Sequence, residues 1–297
     1  MHRLKNWFLI SLFFVFSCGS ESYNTPAPTE PENIDFSGCV TSVGDNTLEV
    51  VTWNLKNFPT TFQTVELVKG ILETLDADLI ALQEIRSIND FEDLVDQLQG
   101  WEGTVLTVGS STQRLAYLYK TTELTLLEPI VHLFDENTDE FNDAFTSVRR
   151  PLQAQFLHKN GLNFKAINVH LKCCDDSEDR RRKALDLIKS KIDEDWSTES
   201  VIVLGDFNDE LVDSDNVFDV FLNDPTNFKF TTLPIAQGSS SQWSFPSWPS
   251  HLDHILITDE LFSKALSTET LRFSDCFAGY GTSISDHRPV MIRLESN

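Results

Sequence analysis

The sequence predicts an α/β protein built on mixed or antiparallel β-sheets. Seven short runs rich in aliphatic or β-branched residues predict strands, whereas two segments have the periodicity of helices. Several strand-like runs follow each other without a helix between them, which favours this arrangement over a doubly wound parallel sheet. The chain has 297 residues, of which 40% are hydrophobic, so one large domain can bury a sizeable core.

The predicted elements are short and regularly spaced along the chain. Strands are predicted at residues 48–53, 79–83, 115–119, 164–170, 201–205, 254–258 and 289–294, and helices at 62–75 and 177–193. In the second helix, Ala184, Leu185, Ile188 and Ile192 recur at helical spacing and define an apolar face. The sequence has no internal repeat and no second linker. We therefore predict a single domain over residues 47–297.

The N-terminal residues have the composition of targeting and linker segments. A basic start and a short apolar run predict an export signal over residues 1–17, because the run is too short to span a bilayer. The run ends in the letters VFSC, which resemble the lipobox of bacterial lipoproteins and make Cys18 the predicted lipid-attachment residue. The alternative is a conventional signal peptide. Residues 18–46 predict a flexible tether. The protein is therefore expected to be exported, either as a membrane-anchored lipoprotein of the bacterial cell envelope or as a secreted protein.

Four cysteines follow the predicted lipid-attachment residue: Cys39, Cys173, Cys174 and Cys276. Export permits disulfides, and four cysteines allow three pairings. Because Cys173 and Cys174 follow a predicted strand end directly, we expect at least one of them to pair with Cys39 or Cys276 rather than with its neighbour. A thiolate metal site is disfavoured, since no CxxC or Cys/His spacing occurs.

The chain carries a formal net charge of −23. An acidic balance of this size argues against a protein that clamps a phosphate backbone with Lys and Arg side chains. It does not exclude a hydrolase that meets phosphate groups locally through a divalent cation. The net charge therefore disfavours binding of a phosphate substrate by a basic surface and leaves binding through a metal ion open.

Polar residues stand where the predicted strands end or begin. The residues at these positions are Asn54, Glu84, His170, Asp206, Asn208, Asp209, Asp286 and His287. Each alone has a structural explanation: Asn often forms a turn, an acid at a strand end is solvated, and a buried His can donate to a carbonyl. Polar groups gathered at strand ends are also the usual way in which a sheet assembles a site. Because such polar residues recur at several strand ends, we favour a functional site over separate structural roles.

Six segments resemble, in order, the motifs of the endonuclease/exonuclease/phosphatase superfamily. They are TWNLKN (52–57), LQEIR (82–86), NVHLK (168–172), GDFND (205–209), HLDHI (251–255) and SDHRP (285–289). Pancreatic-type DNases, abasic-site endonucleases, inositol-polyphosphate phosphatases and neutral sphingomyelinases share these motifs. The resemblance implies a four-layer α/β sandwich with two packed, mostly antiparallel sheets.

The resemblance further implies a metal-dependent phosphodiesterase. It assigns the metal ion to Glu84, Asn54 and Asp286, with Mg²⁺ as the expected ion and Mn²⁺ as a substitute. Carboxylate and amide oxygens suit such a hard cation, which keeps several of its waters and needs few protein ligands.

Five further residues receive catalytic roles from the resemblance. Asp206 would orient or deprotonate the attacking water, and Asn208 would position that water or a phosphate oxygen. His287 would stabilise the phosphoryl oxygens while Asp253 holds its ring as an imidazolium. His170 would donate to a phosphate oxygen or to the leaving group.

An arginine is the predicted substrate-binding residue. Arg149 and Pro151 form an Arg-x-Pro pattern that resembles the phosphate-contacting segment of pancreatic-type DNases; the alternative is an exposed surface arginine. Those DNases carry a Glu as the partner of the first catalytic histidine, where this chain has Gln113. A neutral amide would raise the pKa of His170 less than a carboxylate would.

The motif wording is nearest to the DNase-like branch, so the sequence favours an exported, monomeric endonuclease that acts on nucleic acid. One alternative is a phosphatase or sphingomyelinase-like diesterase for lipid headgroups or small phosphates, which the acidic charge favours. Another is a catalytically inactive binding module. The segment 239–248, with Trp243, Phe245 and Trp248, is a candidate substrate-facing loop, whose aromatic residues could equally form a small core.

Overall fold

The computed structural model describes residues 34–40, 46–107, 112–146, 148–174 and 176–297. The predicted export signal, Cys18 and most of the predicted tether lie outside these residues. Among the described helices, none combines the length and the apolar character needed to cross a bilayer.

Strands dominate the described part of the chain, with helices between some of them. The strands are β1 (Thr47–Phe58), β2 (Leu79–Ile85), β3 (Trp101–Leu106), β4 (Arg114–Lys120), β5 (Leu124–Leu126), β6 (Val131–His132), β7 (Leu152–His158), β8 (Asn163–His170), β9 (Val201–Asp206), β10 (Phe228–Phe230), β11 (Asp253–Thr258), β12 (Ala265–Thr270) and β13 (Val290–Glu295). The α-helices are α1 (Thr64–Thr74), α2 (Ile88–Gln97), α3 (Asp139–Phe145), α4 (Glu178–Asp195), α5 (Asp219–Leu222), α6 (Leu233–Ala236) and α7 (Tyr280–Ser283). Short 3₁₀ segments lie at Ser37–Cys39, Ser240–Gln242, Asp259–Lys264 and Phe273–Asp275.

The strands form two mixed, mostly antiparallel sheets, as the resemblance predicted. One sheet has the order β12-β13-β1-β2-β4-β3 and the other β10-β11-β9-β8-β7-β5, with β6 paired to β7. Among the strand pairs described, only β1 with β2 and β8 with β9 are parallel. Parallel neighbours end at the same edge of a sheet, so these two pairs bring their carboxyl-terminal residues together.

Three hydrophobic cores hold the layers together and give the predicted four-layer sandwich. The central core lies between the sheets, where Val50 and Leu79 of one sheet belong to the same cluster as Ala166 and Ile202 of the other. A second core packs α1 and α2 against the outer face of the first sheet. A third packs α4 against the second sheet through Leu185 and neighbouring apolar residues.

The seven predicted strands and both predicted helices are confirmed, with boundaries shifted by a few residues. The sequence did not predict α2, β7 or the short strands β3, β5, β6, β10 and β12. Strand β12 lies at a sheet edge, and four of the six residues in its sequence ALSTET are polar, so it has no apolar signature. Such a strand forms because its backbone pairs with β13, which local sequence does not reveal.

The prediction of a tether that extends to residue 46 is wrong for residues 34–40. Phe36 is only 2% exposed and packs edge-on against Phe273, with the ring centroids 5.8 Å apart. Burying an aromatic ring of this size is more favourable than leaving it in a solvated linker. The folded domain therefore begins before the predicted boundary at residue 47.

The predicted cysteine pairing is also wrong. A disulfide joins Cys39 to Cys276, so neither of these residues pairs with Cys173 or Cys174. The packing of Phe36 explains the pairing, because it brings Cys39 beside the 3₁₀ segment that precedes Cys276. The sulfur atoms of Cys173 and Cys174 lie 2.8 Å apart, close to the end of β8.

Candidate active site

The two parallel strand pairs meet at one edge of the sandwich and bring the predicted site residues together. In the first sheet, Asn54 of β1 lies beside Gln83, and Glu84 follows. In the second sheet, His170 of β8 lies opposite Asp206 of β9. The side-chain amide of Asn54 donates to Asp206 Oδ2 at 2.9 Å, so one hydrogen bond joins the two sheets inside the site.

Two buried side-chain amides, Gln83 and Asn168, connect the two sheets next to the site residues. Gln83 Nε2 donates to Asn168 Oδ1 at 2.9 Å. Asn168 Nδ2 in turn donates to the carbonyl oxygens of Leu82 and Ala116 in the opposite sheet, at 2.9 and 3.1 Å. Both side chains are fully buried. The Asn168 amide is bonded to the first sheet through both its oxygen and its nitrogen, so it helps to fix how the two sheets meet. Sequence reasoning assigned no role to either residue, although both lie within the recognised motifs.

The predicted metal ligands surround a bulged turn inside β1, residues 55–57, where the pairing of β1 with β2 shifts register. Asn54 Nδ2 lies 3.3 Å from Glu84 Oε1, and Asn57 N donates to Glu84 Oε2 at 2.9 Å. Glu84 has a φ of 62°, a left-handed conformation that is costly for a residue with a side chain and that recurs at functional sites. Asp286 reaches the same turn through Lys56, whose Nζ lies 2.7 Å from Asp286 Oδ2. This set of amide and carboxylate oxygens fits a hard divalent cation.

Asp206, Asp253 and His287 also offer ligand atoms within 4.8 Å of one another. However, His287 Nδ1 and Asp253 Oδ2 are 2.7 Å apart, which is a hydrogen-bond distance. Two ligands of one tetrahedral ion would be about 3.3 Å apart at ordinary metal–ligand distances. We therefore interpret Asp253 and His287 as a hydrogen-bonded pair rather than as a metal site.

Electrostatics keep His287 positively charged. Burial opposes the imidazolium, but the carboxylates of Asp253 and Asp206 outweigh burial and raise the pKa of His287 to about 10. Its Nε2 lies 4.0 Å from Asp206 Oδ2. The His287 carbonyl accepts hydrogen bonds from the indole of Trp53 at 3.3 Å and the hydroxyl of Tyr280 at 2.8 Å. The ring is therefore fixed as a cation that faces Asp206.

Asp206 is the buried carboxyl at the centre of the cluster. Burial raises its pKa to about 7, because this effect exceeds the opposing attraction of the His287 imidazolium. Its Oδ1 accepts a hydrogen bond from Asn208 N at 3.0 Å, while Oδ2 accepts from Asn54. The side chain of Asn208 donates to the Leu171 carbonyl at 3.1 Å. A carboxyl that titrates near neutral pH suits proton transfer.

His170 is neutral in this arrangement. Burial and the nearby Arg149 guanidinium lower its pKa well below the usual value. Arg149 Nη1 lies 3.3 Å from His170 Nε2, and an arginine can only donate, so the imidazole nitrogen accepts. In this contact Nε2 accepts, so the predicted donor role of His170 would fall to its other ring nitrogen, Nδ1. Gln113 Oε1 accepts a hydrogen bond from Arg149 Nη2, and Arg149 also donates to the Leu171 carbonyl at 3.0 Å.

A serine that sequence reasoning passed over aligns two motif segments. Ser285 Oγ donates to the Asn54 carbonyl at 2.6 Å and accepts from His287 N at 3.0 Å. The sequence offered one signal for Ser285, namely its position immediately before Asp286 in the last motif. Tyr280, by contrast, lies outside every motif, and its contact with His287 had no sequence signal.

The aromatic residues of the candidate loop separate in the structure. Phe245 packs against the His287 ring, with centroids 4.8 Å apart. The Trp243 indole donates to the Ile235 carbonyl at 3.1 Å and so faces the protein. Trp248 is 76% exposed. The loop therefore places Phe245 against the site, Trp243 half-buried against the protein and Trp248 at the surface.

A cavity of about 580 Å³ adjoins the site beside Asn208 and Leu252. Trp248 lines it together with five acidic residues: Glu178, Asp209, Glu210, Asp213 and Asp215. Arg181, the arginine in its lining, is bonded to Asp209 at 2.7 Å. This side of the site is therefore strongly acidic.

Comparisons with known proteins agree with this architecture. Residues 51–287 match the model of the Endonuclease/Exonuclease/phosphatase family. No curated protein matches the chain. Among solved structures, TDP2 from D. rerio with a single-strand DNA product is similar, with a TM-score of 0.66, 16% identity, and coverage of 84% of this chain and 99% of that one. The mannosyl-6-phosphatase of Bacteroides thetaiotaomicron has a TM-score of 0.63 and 18% identity, with coverage of 82% of this chain and 98% of that one. The human Nocturnin catalytic domain with bound sulfate has a TM-score of 0.63 and 18% identity, with coverage of 84% of this chain and 93% of that one.

Proposed function

Because the chain belongs to the endonuclease/exonuclease/phosphatase family, whose members hydrolyse phosphoester bonds, we propose that it is a metal-dependent phosphodiesterase. The observation that carries this proposal is the environment of Asp206. This carboxyl has a pKa of about 7 and lies between the Asn54 amide and the His287 imidazolium. Hydrolysis of a phosphodiester needs an activated water and stabilisation of developing negative charge, and these neighbours are suited to both.

Glu84, Asn54 and Asp286 would hold the metal ion, Mg²⁺ or Mn²⁺. When bound, such an ion would neutralise charge on the phosphoryl oxygens. The Asn57 backbone amide orients one oxygen of Glu84 and leaves the other directed at the site. The protein's part is to hold these oxygens in place before the substrate arrives.

Asp206 accepts the proton of the attacking water in the proposed reaction. Its ionised form is available from about neutral pH upwards, and the hydrogen bonds from Asn54 and Asn208 fix both of its oxygens. Asn208 also ties the loop after β9 to the Leu171 carbonyl. The water is thereby held by a carboxylate that cannot rotate freely.

His287 and Arg149 supply positive charge to the phosphoryl group. Asp253 keeps His287 protonated and fixes the direction of its ring. Arg149 lies next to His170, whose Nε2 is 3.6 Å from Asp206 Oδ2. His170 is neutral, so we assign it the placement of Arg149 rather than the delivery of a proton. Charged donors held in place in this way stabilise a transition state more than flexible ones do.

We expect removal of the metal ion to abolish activity. EDTA should stop turnover, Mg²⁺ or Mn²⁺ should restore it, and Glu84→Gln should lower the rate at least about a hundredfold, because a preorganised charged ligand is lost. The matched control is Glu194→Gln, an exposed residue at the far end of α4, which should retain wild-type turnover. Full activity in EDTA would contradict the metal-dependent mechanism.

Nucleic acid is the first candidate substrate. Arg149 provides a guanidinium for a backbone phosphate, and the structurally similar TDP2 was solved with a single-strand DNA product. The acidic cavity supports a second candidate, a small or weakly charged phosphoester, because five carboxylates would repel further phosphates of a polynucleotide.

A turnover panel with Mg²⁺ separates these candidates. Its substrates are single-stranded DNA, RNA, plasmid DNA, a sugar phosphate, inositol phosphates and sphingomyelin. Preference for a polynucleotide would favour the first, and preference for the sugar phosphate, an inositol phosphate or the lipid the second.

We further propose that the protein is exported, anchored through a lipid on Cys18, and active as a monomer. The Cys39–Cys276 disulfide supports export, because such bonds persist in oxidising compartments. We expect the mature protein to begin at a lipid-modified Cys18 and to partition with membranes. Mass spectrometry of the N-terminus checks this expectation, and an unmodified terminus at another residue would contradict it.

A further inference from the structure

A lysine lies among the proposed metal ligands. Lys56 Nζ is 2.7 Å from Asp286 Oδ2, and the two side chains are 38% and 23% exposed. Lys56 has a φ of 45°, in the left-handed region that residues with a side chain seldom adopt. The turn thus places an ammonium group directly on one of the three oxygen-bearing side chains.

The same turn contacts the other two proposed ligands. Lys56 N donates to Asn54 Oδ1 at 2.9 Å, and the next residue, Asn57, donates to Glu84 Oε2 at 2.9 Å. The backbone of residues 56–57 therefore orients the amide and one carboxylate, while the Lys56 side chain neutralises the other carboxylate. Lys56 is the one residue of the turn that brings a positive charge to the cluster.

A positive charge at this position competes with a divalent cation. An ammonium on Asp286 weakens the attraction of that carboxylate for a metal ion, and a bound ion would be repelled by the ammonium if both stayed close. The Lys56–Asp286 pair is partly exposed, and ion pairs of this kind are weak. A divalent ion can therefore displace the ammonium, but it binds less tightly than it would to an unpaired Asp286.

We propose that Lys56 is a positioning residue that sets the metal affinity of the site by acting as the counter-ion of Asp286 in the metal-free protein. This inference rests on the proposed function, since it takes Asp286 as a metal ligand. It assigns to Lys56 a role in metal binding rather than in the chemical step.

The test is the affinity for Mg²⁺ and Mn²⁺, measured by calorimetric titration of the metal-free protein without substrate. Lys56→Met keeps the length of the side chain and removes its charge, so its metal Kd should fall about tenfold. Lys56→Arg keeps the charge, and its Kd should remain near that of the wild type. If Lys56→Met does not fold, Lys56→Gln serves as the second neutral variant.

Lys120→Met is the matched control. Lys120 forms a comparable ion pair, with Nζ 2.9 Å from Asp76 Oδ1, outside the candidate site. The control removes the same charge and one Lys–Asp pair, and its metal Kd should be unchanged. A Lys56→Met variant whose Kd matches that of Lys120→Met would overturn the inference and leave the proposed function intact. A wild-type protein that binds neither ion would contradict both.

Discussion

We expect Asp206→Asn to lower the single-turnover rate about a thousandfold or more, with little change in substrate affinity. The asparagine keeps the size of the side chain and a carbonyl oxygen that can accept from Asn54, but it cannot take a proton from water. Asp206 is buried, accepts hydrogen bonds on both oxygens and titrates near neutral pH. Replacing Asp206 should therefore weaken stabilisation of the transition state and leave substrate binding nearly unchanged.

The same variant should be more stable than the wild type at alkaline pH. Burial raises the pKa of Asp206 from 3.8 to about 7, so the folded protein favours the protonated form. This contribution to stability is present below the unfolded pKa and is lost as pH rises through the folded pKa. The substituted amide does not titrate, so the melting temperature of the variant should exceed that of the wild type at about pH 8, and the difference should shrink by about pH 5.

Asp96→Asn, on the exposed face of α2, is the control for both measurements and should change neither turnover nor the pH dependence of melting. A folded Asp206→Asn variant with near-wild-type turnover would rule out the proposed role of Asp206.

We expect His287→Ala to lose about a thousandfold or more in kcat as well. The imidazolium of His287 is maintained by Asp253 and faces Asp206, so it is placed to stabilise the same transition state. Combined with Asp206→Asn, the loss should be far less than the product of the two single losses, because residues that act as one unit are not additive.

His158→Ala provides the control for an imidazole outside the site, since His158 lies at the end of β7 near Glu123, with Nε2 3.8 Å from its carboxylate. Multiplicative losses in the double variant would show that Asp206 and His287 act independently, contrary to the proposal.

Local patterns were sufficient to predict the core strands and the position of the site. Runs such as the one that became β9 are apolar because they are buried on both faces, and this run ends at Asp206, a residue of the candidate site. The α/β class followed from the strand-like and helical runs, and the four-layer sandwich from the resemblance that six motifs carry. These signals are local in sequence, so a single sequence contains them.

The errors concern contacts between distant segments. Phe36 and Cys39 lie in a polar, proline-containing region, and only the folded domain shows that they pack beside Phe273 and bond to Cys276. Gln113 accepts a hydrogen bond from Arg149, a contact between two segments that are distant in the chain. The Lys56–Asp286 pair likewise joins residues that are distant in the chain. Neither composition nor periodicity encodes such pairings.

The most direct test of the central proposal uses a bis-aryl phosphodiester, which requires no recognition of a particular nucleic acid or lipid. Its hydrolysis is followed with Mg²⁺, with EDTA, and with the Asp206→Asn variant in Mg²⁺. We predict turnover by the wild type in Mg²⁺ alone and almost none in the other two conditions. A wild-type protein that binds Mg²⁺ but hydrolyses neither this ester nor any substrate of the wider panel would contradict the assignment as a phosphodiesterase and would favour a binding module.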